Sequence, residues 1–169
     1  MDATEVLIDT FDRLPELVHG AVEALHAEHL TSAPREGANT IGWLIWHTAR
    51  VQDAQIAHVA GHEQAWVTGD WAPKFGMGPD PANTGYGHSP DEMAAVQVET
   101  SESLVSYYEA VHARTMTFLR TLSADDLDRI VDDRYDPPAT LGARLVSIAA
   151  DDLQHVGQAA YLRGLLLDD

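Results

Sequence analysis

Ser147-Ile-Ala-Ala-Asp-Asp-Leu-Gln-His-Val-Gly-Gln-Ala-Ala-Tyr-Leu-Arg-Gly164 reads as one long helix, and within it Asp151 and His155 stand four residues apart. Side chains at that spacing leave one helical face about one turn apart. A carboxylate and an imidazole so placed can hold one divalent ion when a third donor arrives from a facing helix. The candidate third donor is His47, at the end of Gly42-Trp-Leu-Ile-Trp-His47. Three protein ligands would leave one coordination position open for chemistry. The alternative is a His–Asp ion pair. The face that carries Asp151 and His155 also carries Ile148, Ala159 and Leu162, and burying an unpaired carboxylate there would cost several kcal/mol.

The rest of the chain reads as the scaffold for that helix. From Ala3 to about His29, apolar residues such as Val6, Leu7, Phe11, Leu14, Val18 and Val22 recur at threes and fours, the stripe of an amphipathic helix, with Pro15 kinking or restarting it. Thr31 to Gly37 is a turn. Asn39 or Thr40 can cap a second helix that runs past His47 toward Val59, where Gly61 is a natural stop. From His62 to His88 the many Gly and Pro residues predict a long loop, whose Trp66, Trp71 and Tyr86 offer apolar surface for a lid over the site. Ser89-Pro90-Asp91-Glu92 is a capping-box start, predicting a helix to about Leu122 through Val96, Val98 and Leu104. Ser123 opens a short helix to about Val131, Asp136-Pro137-Pro138 breaks the chain, and Thr140 caps the last helix. No strand-like alternation competes. The expected fold is all-α: a four-helix bundle, one domain over residues 1–169, with a long crossover loop between helices two and three.

Composition narrows the function. With no cysteine among 169 residues, disulfides, thiolate metal sites and cysteine nucleophiles are excluded, so any metal rests on nitrogen and oxygen donors. A formal net charge of -17, from 27 acidic and 10 basic residues, repels nucleic acid phosphates and anionic membranes. No apolar run approaches the roughly 20 residues needed to cross a bilayer. Met1-Asp-Ala-Thr-Glu5 lacks the basic and apolar segments of a signal peptide, so a soluble, cytoplasmic protein is expected. Its partners are then small molecules or a second copy in a homodimer.

Around the three ligands, Trp43 lies one turn before His47 and Arg50 three residues after it, an aromatic wall and a cation for an anionic substrate group, although Arg50 could instead pair with Asp151 or Asp53. Gln158, three residues after His155, could fix the imidazole tautomer. His58 and His62 form a second pair at a spacing of four, but Gly61 lies between them at the expected helix end.

The Trp43-Leu-Ile-Trp-His-Thr-Ala-Arg-Val-Gln-Asp53 element, the Asp-x-x-x-His of the last helix and the trailing Gly157-Gln-Ala-Ala-Tyr-Leu-Arg-Gly164 together resemble the DinB-like metalloprotein superfamily, which includes mycothiol-dependent maleylpyruvate isomerase and bacterial thiol S-transferases. The resemblance implies a four-helix bundle holding a divalent ion, zinc or else nickel, through His47, Asp151 and His155. Relatives commonly carry His or Glu where this chain has Asp151, whose reach is shorter. The resemblance further implies that a low-molecular-weight thiol such as mycothiol is activated for attack on a small electrophile. Isomerisation of a small alkene, hydrolysis of a small ester or amide, and a non-catalytic metal-binding bundle are the other readings. Trp43, Arg50, Tyr86 and Gln158 are the expected substrate contacts.

Overall fold

Every exposed side chain on the longest helix, Leu141 to Leu167, is uncharged, while Leu145, Ile148, Val156, Ala159 and Leu162 turn into the core at the helical period. This helix, α8, ends a mostly helical computed structural model whose described residues are 1–167. Before it come α1 (Ala3–Asp12), α2 (Leu14–Val22), α3 (Ala27–Thr31), α4 (Ile41–Ala60), α5 (Ala65–Thr68), α6 (Pro90–Ala94) and α7 (Ser101–Leu119). Among the described residues no helix is long and apolar enough to cross a membrane.

Helix α4 is the centre of the packing. Ile41 to Asp53 are buried without interruption, because α4 packs on α8 and α7 as well as on α3. Helix α2 in turn lies against α8 and α7, so α4, α8, α2 and α7 close a ring around one core. The expected caps are present. Thr40 Oγ1 accepts from the Trp43 amide at 3.0 Å, Ser89 closes a capping box with Glu92, and Thr140 Oγ1 accepts from the Ala143 amide at 3.2 Å. At the far end of α4, Gly61 adopts a left-handed φ of 73° that a side chain would oppose.

Three expectations change. The first helical stretch restarts at Leu14-Pro15 as expected, but it ends after Val22 instead of running on to about His29. The helix expected from Ser89 to Leu122 stops after Ala94. Val96 and Val98 are buried while Gln97 and Glu99 are exposed, the alternation of extended chain, and Thr100 then caps α7 by accepting from the Ser103 amide at 3.2 Å. The third change follows Ser123, where a 3-10 turn over Ala124–Asp128 leads into a two-stranded antiparallel sheet, β1 (Ile130–Asp132) with β2 (Ala139–Thr140).

That small sheet is tied to α8 through Asp132, which accepts from Arg134 at 2.7 Å and from Arg144 at 2.8 Å. The Arg134 guanidinium hydrogen-bonded to it, helped by Arg144, holds its carboxyl well below the usual carboxylate range. A depressed folded-state pKa stabilises the fold above the unfolded value of about 3.9, and that contribution is lost as pH falls through the folded value. Asp132→Asn is therefore expected to lower the urea midpoint at pH 7, with the gap to wild type closing below about pH 4. A gap that stays constant from pH 7 to 3 would contradict the role given to this carboxylate.

Candidate metal centre

His47 sits in the second turn of α4, and Asp151 and His155 sit one turn apart on the face of α8 that meets it. One donor atom from each of the three lies within 4.8 Å of the others, forming a group that could hold a metal ion. His47 is buried, and the two α8 residues are partly exposed, so the group opens on one side. The two imidazoles meet edge to face, with ring centroids 4.9 Å apart.

Hydrogen bonds fix the tautomer of each imidazole. His47 Nδ1 donates to the Thr84 carbonyl, and His155 Nδ1 donates to Gln158 Oε1 at 3.0 Å. Both Nε2 lone pairs are thereby left for an ion, the arrangement in which a second partner orients a metal-binding histidine. His155 Nε2 and Asp151 Oδ1 are 3.5 Å apart. A charge-assisted hydrogen bond would be about 2.7–2.9 Å, whereas two donors roughly 2.0–2.1 Å from one tetrahedral zinc stand about 3.3 Å apart. The other carboxylate oxygen, Asp151 Oδ2, is buried with no hydrogen-bond partner among the described residues. The three residues thus offer two imidazole nitrogens and a carboxylate oxygen that could hold a divalent ion.

The charges around the site reflect how close the three residues are. The neighbouring His155 holds the Asp151 carboxyl below its usual range, against the effect of partial burial. Conversely, the Asp151 carboxylate raises the His155 imidazole, while burial lowers that of His47. The next residue, Asp152, turns into the core, where neither carboxylate oxygen has a protein partner; burial pushes its carboxyl well above the usual range.

One wall of the site is Trp43, stacked on His47 at 4.6 Å between ring centroids and 14° between planes. Its indole Nε1 donates to His88 Nδ1 at 3.2 Å, and His88 Nε2 meets Asn83 Oδ1 at 2.9 Å. The segment Asn83–His88 therefore lies over the His47 side of the site.

The sequence profile of the DinB superfamily matches residues 10–159. The chain belongs to the DinB superfamily. It is also similar to the crystal structure of a conserved protein from Enterococcus faecalis, with a TM-score of 0.90 at 30% identity over 100% of this chain and 99% of that one. No curated protein matches the chain.

Within this DinB-superfamily chain, His47, Asp151 and His155 converge, and Trp43 and Gln158 touch them. Arg50 and Tyr86 do not join them. Arg50 is fully buried, donating to the carbonyls of Asn83 and Pro81, to Gln64 and to Tyr107, and lies 3.5 Å from Asp53. Tyr86 is 92% exposed, its ring in solvent. Trp66 and Trp71 pack around Tyr107, away from the ligands they were expected to cover. His58 and His62 are separated by the left-handed Gly61, and His62 Nδ1 turns to the Glu63 carbonyl.

Thr84, Gly85 and His88 join the site without having been expected there, because Thr84 and Gly85 act through backbone atoms. Their signal was the Asn83-Thr84-Gly85 turn inside the loop. Gly85 has φ of 90°, and a Cβ there would lie 2.8 Å from His47 Nδ1 and 2.9 Å from the Trp46 ring. Gly85→Ala is expected to push the segment off His47 and weaken zinc binding about 10- to 100-fold, the effect of losing an orienting partner. Calorimetric zinc titration checks this, and an unchanged affinity would mean that the Thr84 carbonyl does not orient His47.

Proposed function

We propose that this chain is a metal-dependent thiol S-transferase built as a four-helix bundle. The closed ring of α4, α8, α2 and α7 supports the architecture. The observation that carries the chemistry is the donor group: one atom each from His47, Asp151 and His155 lies within 4.8 Å of the others, and Nδ1 of each imidazole is already engaged, by Thr84 and by Gln158. Two nitrogens and one carboxylate oxygen, without thiolate, suit zinc with a fourth position left for a ligand.

A divalent ion held by His47, Asp151 and His155 would lower the pKa of a thiol, making its sulfur available as a nucleophile near neutral pH. The chain has no cysteine, so that thiol comes from a second substrate, and mycothiol is the proposed class. Gln158 and Thr84 keep His155 and His47 in the tautomers that present Nε2. Trp43 shields the buried side of His47 from water and offers a flat apolar wall to a small electrophile.

Thiol consumption with a chromophoric electrophile tests the reading. Zinc-loaded wild type should turn over with mycothiol or another small thiol, and the metal-free protein and His47→Ala should not. Equal rates in all three would remove the transferase reading. Turnover of a small ester without any thiol would replace it with a hydrolase.

A further inference from the structure

Beside the ligand group, α4, α8 and the Pro34–Asn39 segment enclose a groove of about 350 Å³. That volume falls at the lower end of small-molecule sites, which are mostly apolar with a few convergent polar groups. Leu44, Tyr161, Leu162 and Leu165 supply the apolar walls. Gln158 joins the groove to the ligand group, because it lines the groove while its Oε1 accepts from His155. Leu44 is three residues before His47 on α4, about 4.5 Å along the axis, so the groove begins where the ligand group ends.

The polar groups in the groove are unusual for this chain. The Arg35 side chain lines it with no hydrogen bond or ion pair among the described residues, although the chain has 27 acidic residues and only 10 basic ones. By contrast Arg13, Arg50, Arg134 and Arg144 each pair with a carboxylate. Among the described residues no acidic side chain lines the groove, and Asn39 adds a second amide to that of Gln158. Helix α4 starts six residues before His47, about 9 Å along its axis. Asn39 precedes that start and so stands at the end of the groove away from the ligands.

We propose that this groove binds the electrophilic substrate, and that the substrate is a small apolar molecule carrying a carboxylate that pairs with Arg35. The proposal rests on the transferase reading for the word substrate, but not for the binding itself. Leu44, Leu162 and Leu165 take the apolar body. Arg35 takes the anion, and Gln158 leads the other end toward the open side of His155 and Asp151. The acidic chain repels anions in general, so Arg35, in a groove with no acidic side chain among the described residues, selects where an anionic ligand settles.

Hexanoate, 1-hexanol and hexylammonium share one apolar chain and differ in charge. Each is titrated into the metal-free full-length protein and followed by NMR, so that direct binding of the carboxylate to zinc plays no part. Hexanoate should bind about five- to tenfold tighter than hexanol. In Arg35→Gln that preference should vanish while hexanol affinity changes less than twofold, and Leu165→Asp should weaken both. Because Arg35 is exposed and Leu165 half-exposed, both variants should keep the wild-type helix content by circular dichroism. Hexanoate binding unaffected by Arg35→Gln, a preference for hexylammonium, or no binding of any probe would overturn the proposal. Turnover with thiols that proceeds equally well in Arg35→Gln on carboxylate and neutral electrophiles would also overturn it and leave the transferase standing. Arg35-dependent binding with no thiol turnover would do the reverse.

Discussion

Arg50→Met is expected to destabilise the fold by about 3–5 kcal/mol, the cost of leaving a buried charge without its partner. Arg50 is fully buried and Asp53 is 3% exposed. Asp53 accepts from the Ala65 and Trp66 amides, each at 2.8 Å, and from Tyr107 at 3.0 Å, so it anchors the start of α5. Arg50 reaches in the other direction, to the Asn83 carbonyl at 3.0 Å and the Pro81 carbonyl at 3.2 Å. Its guanidinium also lies 4.7 Å from the Trp66 ring centroid. One side chain therefore joins α4, the start of the long loop, and the segment that leads to Thr84 on His47. Urea unfolding should show the full loss in Arg50→Met and a smaller one, about 1 kcal/mol, in Tyr107→Phe, which removes one hydroxyl and no charge. A loss under 1 kcal/mol in Arg50→Met would mean that the loop is held by other contacts.

His47→Ala and His155→Ala are each expected to cost more than the roughly 10- to 100-fold of metal affinity that an orienting partner contributes, because they remove donors outright. After dialysis, elemental analysis should find about one zinc per wild-type chain and almost none in either variant. His155 is half-buried and open to solvent on one side, so His155→Ala should keep wild-type helix content. Full occupancy in both variants would sink the assignment.

Much of this was legible because helical periodicity converts spacing into position. Asp151 and His155 had to share a face of α8, and Thr40, Ser89 and Thr140 had to start helices, since each effect acts within one turn of chain. The neighbouring acid was ambiguous in principle: Asp152 stands three residues before His155, a spacing that also shares a face. Packing decided it, sending Asp152 to the core beside Val156 and Ala149 and leaving Asp151 at the site.

What escaped the sequence depended on distant partners. Val96 and Val98 fit a helix and an extended strand equally well, and the extended form won where the Gln97 amide reaches the Phe75 carbonyl at 3.1 Å. Arg50 looked like a substrate cation because it follows His47 by three residues. Its acceptors are carbonyls more than thirty residues away in a loop without periodicity. Arg35 drew no attention for the opposite reason, since the turn that holds it is brought against α8 only by the fold.

X-ray absorption at the zinc edge of the loaded protein measures the centre directly. A first shell of nitrogen and oxygen donors at about 2.0–2.1 Å, with two imidazoles in wild type and one in His155→Ala, is the expected result. A shell of oxygen donors alone, or the same imidazole count in both proteins, would contradict a metal held by His47, Asp151 and His155.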